Sequence, residues 1–83
     1  MGTLSDALRN LEDFILDGAL KILIRKNGND TYIGGRESAE NVEGFKQEAA
    51  DKAIQQAKSA LQEGAKELSV IRNDDGDYII TAS

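Results

Sequence analysis

Two polar turns constrain this chain more than any other feature: Asn27-Gly28, and Asn73-Asp74-Asp75-Gly76. Each separates two short apolar segments, and Asn-Gly or Asp-Gly in that setting is a strong hairpin signal. Ahead of each hairpin stands a stretch of helical spacing that stops at a glycine, Gly18 or Gly64. The chain therefore reads helix, strand, strand, twice over. Its 83 residues leave room for one domain, spanning 1–83. With no cysteine and no histidine, neither a disulfide nor a zinc site staples it, so packing must supply the stability.

The periodicity predicts a helix over 3–17. Thr3 and Asp6 resemble a capping box, with Asp in the Glu position. Leu4, Leu8, Leu11 and Ile15 share one stripe, flanked by Ala7 and Phe14. Residues 19–26 alternate as a strand, and Thr31-Tyr32-Ile33 returns as its partner. Gly34-Gly35-Arg36-Glu37-Ser38 reads as a flexible connection. A second helix is expected to begin between Ser38 and Phe45 and to end near Glu63. Its stripe is Phe45, Ala49, Ala53, Ile54, Ala57, Ala60 and Leu61, rich in alanine as a helix lying close on a sheet would be. Strands follow at 67–72 and 77–82.

The expected fold is α+β, a two-layer sandwich in the order αββαββ. A four-stranded, mainly antiparallel sheet carries two helices on one face. The halves 3–34 and 43–82 also echo each other in detail. Leu16-Asp17-Gly18-Ala19 matches Leu61-Gln62-Glu63-Gly64-Ala65, Ile24-Arg25 matches Ile71-Arg72, and Asp30-Thr31-Tyr32-Ile33 matches Asp77-Tyr78-Ile79. A duplicated αββ unit with a pseudo-twofold axis explains this echo; shared turn chemistry explains much of it too.

Alternation assigns Leu20, Ile22, Ile24, Leu68, Val70, Tyr78 and Ile80 to the covered side of the sheet. Leu23, Ile33, Ile71 and Ile79 fall on the other, beside Lys21, Arg25, Thr31, Ser69 and Thr81. A solvated face should be mostly polar. An apolar centre with a polar rim instead suits a contact surface, for a second copy or another protein. These four residues are the candidate interaction site.

The chemistry-bearing residues point away from catalysis. Histidine and cysteine are absent, and no serine lies in a nucleophile motif, so no enzyme and no cofactor is expected. Asp74, Asp75 and Asp77 lack the glycine placement and distal glutamate of a calcium loop. Gly34, Gly35, Arg36 and Ser38 form the candidate anion-binding segment, ahead of the second helix. The net charge of −5 and the scattered basic residues disfavour nucleic acid and membrane surfaces as partners. The start lacks a signal-peptide pattern and cysteine is absent, so a cytoplasmic setting is expected.

The leading expectation is a small interaction or regulatory module, as a homodimer through the open sheet face. Small size, low pI and the lack of catalytic groups also fit an acidic phage-type inhibitor of a host nucleic-acid enzyme. The missing Pro, Cys, His and Trp also permit a designed sequence.

Overall fold

A computed structural model describes residues 2–38 and 44–83 of the chain. Helix α1 spans Leu4–Leu16. Its start follows from local chemistry: the Thr3 hydroxyl accepts from the Asp6 N–H, and the Asp6 carboxylate accepts from the Thr3 N–H. Ala7, Leu11 and Ile15 fall on one side of α1 and are buried. Strand β1 (Lys21–Lys26) and strand β2 (Tyr32–Glu37) make the first hairpin. Helix α2 (Gln47–Gln62) leads to β3 (Glu67–Arg72) and β4 (Tyr78–Ala82).

The four strands pair antiparallel throughout, in the order β2-β1-β3-β4. Both helices lie on one face, α1 against β1 and β2, α2 against β3 and β4. The core lies between the layers. Ile22, Ile24, Leu68 and Val70 rise from the sheet; Leu11, Ile15, Ala57 and Leu61 descend from the helices. The expected α+β sandwich is the fold observed.

Three local readings change. Leu20, assigned to the core, is 39% exposed, because it stands just before β1 at the end of the sheet. Gly34 to Glu37, read as a flexible connection, are the last residues of β2, held by register against Ile24 to Lys21. The range expected to hold the start of the second helix falls partly outside the described residues. Helix α2 begins at Gln47, after an N-cap, Lys46, whose side chain makes no capping bond. Its buried face includes Ala50, which the predicted stripe omitted.

The two halves correspond with a constant shift, residue n standing where n + 46 stands in the other. Asp17 and Glu63 are both C-caps with helical dihedrals. After them, Gly18 and Ala19 donate to Ile15 and Phe14, as Gly64 and Ala65 donate to Leu61 and Ala60. Asn27 N–H bonds Thr31 carbonyl, and Asn73 N–H bonds Asp77 carbonyl. Lys26 donates to Lys66 and Arg72 to Leu20, each bond the image of the other. The shift pairs Lys26, not Arg25, with Arg72, so that part of the echo read from sequence was one residue out of register.

Candidate functional site

The open sheet face is built by the strand register. Three rows cross the four strands in the order β2, β1, β3, β4. The first is Glu37, Lys21, Ile71, Ile79; the second Gly35, Leu23, Ser69, Thr81; in the third, Ile33, Arg25 and Glu67 stand side by side. The four candidate residues therefore run diagonally over the face, from Ile33 through Leu23 to Ile71 and Ile79. Ile33 and Ile79 are each 54% exposed, Leu23 37% and Ile71 39%. No helix covers this side among the described residues, since both helices pack against the opposite one.

Charges flank the diagonal on both sides. Arg25 and Glu67 approach to 3.7 Å across β1 and β3, on the side of Ile33. Lys21 and Glu37 are register partners on the other side. Gly35 opposite Leu23 has no side chain, so Leu23 is left open toward the β2 edge. The result is an apolar band with a mixed-charge rim, the composition of a small contact surface.

Two exposed apolar residues escaped the sequence reading. Leu16, at the end of α1, is 43% exposed, and Leu20 is 39% exposed. Strand alternation placed Leu20 inward, whereas Leu16 lay outside the stripe read for α1. Leu20 is left outside because β1 begins only at Lys21, and Leu16 because it stands off the buried side of α1.

The anion-binding candidates are not gathered at a helix start. Gly34, Gly35 and Arg36 lie in β2, and Ser38 is exposed just beyond it. The Arg36 guanidinium donates to Asp17 at 3.0 Å and stacks over the Phe14 ring at 4.9 Å from its centroid. It thereby ties β2 to the end of α1. In the second hairpin, the Asn73 side-chain Oδ1 accepts from the N–H groups of Asp75 and Asp77 at 3.0 and 3.1 Å, an Asx-type turn.

The second hairpin also holds Tyr78, opposite Arg72 in the ladder. Burial raises the Tyr78 hydroxyl pKa, partly offset by the charge and hydrogen bonding of Arg72. Arg72 itself is 7% exposed, on the helix side. Among the described residues, no helix is long and apolar enough to cross a membrane. No family model matches the chain, and neither a curated protein nor a solved structure is found to be similar to it.

Proposed function

We propose that this chain is a small, non-enzymatic protein-interaction module whose contact surface is the open face of the sheet. The observation that carries this reading is the exposed diagonal of Ile33, Leu23, Ile71 and Ile79, on a face that neither helix covers. A solvated face of an antiparallel sheet is ordinarily polar, and four large aliphatic groups in a row keep it from being so.

Size limits the strength of such a contact. Four strands at about 4.8 Å spacing and six residues at about 3.3 Å make a face of roughly 400 Å². Two such faces bury roughly 800 Å², below the ~1,200–2,000 Å² of stable complexes. A second copy on this face accordingly makes a weak, concentration-dependent dimer; a larger partner reaching over the rim binds more tightly.

Sedimentation across a wide concentration range tests the self-association. Mass should rise with concentration, and Leu23→Asp or Ile71→Asp should remove the association made through this face. A mass indifferent to both substitutions removes the second copy from this face.

A further inference from the structure

The two edges of the sheet correspond under the 46-residue shift, yet they are finished differently. At the β2 edge, the outward N–H of Tyr32 is taken by the Gly2 carbonyl at 2.7 Å, and Arg36 and Glu37 add charge along the strand. Strand β4 has neither protection. Glu67 and Ser83 exchange hydrogen bonds, which leaves the N–H and C=O groups of Tyr78, Ile80 and Ala82 pointing outward. Among the described residues, no backbone group meets them. Residues 78–83 carry no charged side chain, and charges and prolines are the usual guards of such an edge.

Two hollows flank this edge on the helix side. One, of about 640 Å³, lies at Tyr78, where Lys46, Lys52 and Gln56 of the α2 region line it. The other, of about 460 Å³, lies at Ala82, beside Ala60 and Glu63. Helix α2 therefore runs in the same direction as β4, with the stretch between Gln56 and Ala60 over Ile80. The hollows stand about 13 Å apart along the strand, four residues of rise.

From this geometry we infer that the β4 edge binds the β4 edge of a second copy, antiparallel, with the twofold axis at Ile80. That register sets Tyr78 against the partner's Ala82 and Ile80 against the partner's Ile80, so every outward donor meets an acceptor. The half-buried Ile80 is covered, and the sheet extends to eight strands.

Charge complementarity selects the second copy as the occupant. Ala49, Lys52, Gln56, Ala60 and Glu63 line the hollows from the outer side of α2 and its C-cap; Glu48 and Asp77 share the first hollow with Lys46 and Lys52, and Lys66 shares the second with Glu63. Lys52 and Glu63 are exposed and separated by about three helical turns. Their midpoint lies over Ile80, so the same axis brings each Lys52 opposite the partner's Glu63. The small Ala49 and Ala60 leave space for the two helices to approach. This contact is independent of the open face, which stays uncovered in the edge-paired dimer.

Sedimentation equilibrium on the full chain and its variants tests the pairing. Lys52→Glu and Glu63→Lys sit on exposed positions, so circular dichroism should show the fold intact in both. Each should weaken the dimer about tenfold or more by setting like charges face to face. The doubly exchanged chain should recover the parent affinity, and Leu23→Asp should leave edge pairing unchanged. A chain monomeric at every concentration overturns the inference. So does a dimer that survives Lys52→Glu but is lost in Leu23→Asp, which places the second copy on the open face.

Discussion

Gly76 carries a constraint that its turn chemistry conceals. Its φ is +87°, and a Cβ there would overlap the carbonyl oxygen of Gly44, which leads into α2. Gly28 has a similar φ of +96° but open space around it. Gly28→Ala should cost only the left-handed backbone penalty, about 1–2 kcal/mol. Gly76→Ala adds displacement of a backbone segment and should cost about 3 kcal/mol or more, read as the difference between their urea midpoints. Sequence marks both glycines as turn residues, since turn type is local. The meeting of Gly76 with Gly44 depends on how distant segments dock, and no spacing rule encodes that. Tyr78 gives a second prediction at this scale. A hydroxyl whose pKa is raised by folding keeps its proton longer than in the unfolded chain. Its contribution is present below the ordinary tyrosine value of 10.0 and is lost as pH rises through the raised folded value. Tyr78→Phe should flatten that alkaline loss of stability in denaturant titrations between neutral pH and pH ~11.

Among the elements, helices and the strands of the second hairpin are the most legible. Strand β3 occupies the predicted 67–72, and α1 ends within a residue of its predicted stop. Their signals are local: alternation, a capping box and a glycine after the last turn. Strand β2 was read as half its length because Gly34-Gly35 has low strand propensity. Pairing with β1 supplies the ladder regardless, and an edge strand tolerates the missing side chains. The start of α2 was obscure because Lys46 offers no capping side chain. The seam between the helices shows why alanine dominates α2: Ala53 and Ala57 are buried where α1 and the sheet converge. Ala57→Leu should therefore overpack the seam and cost about 1–3 kcal/mol. Gln55→Leu, on the exposed side of α2, should change stability by no more than about 0.5 kcal/mol in the same denaturation assay.

At the scale of the whole molecule, the 46-residue correspondence has a twofold axis, and residues on such an axis meet their own counterparts. Leu23 pairs with Ser69 between the two central strands. Above them, Lys58 donates to Glu12 at 2.6 Å between the two helices. Both pairs are n with n + 46. The sequence suggested the axis but not which residues lie on it, because the matched side chains differ while the ladder, not the side chains, holds the register. In two identical units, position 12 would face its own kind, and like charges would repel. One chain escapes this by carrying Glu in one half and Lys in the other. The approximate symmetry makes a definite claim: the two positions offer equivalent surroundings, so their occupants can be exchanged. Glu12→Lys alone and Lys58→Glu alone each set like charges together and should cost up to about 1 kcal/mol, since both side chains are partly exposed. The exchanged pair, Lys at 12 and Glu at 58, should return to within about 0.5 kcal/mol of the parent in a double-mutant cycle. An exchanged pair no more stable than either single variant would mean that the halves share strand order and hydrogen bonds but not the environment around their axis.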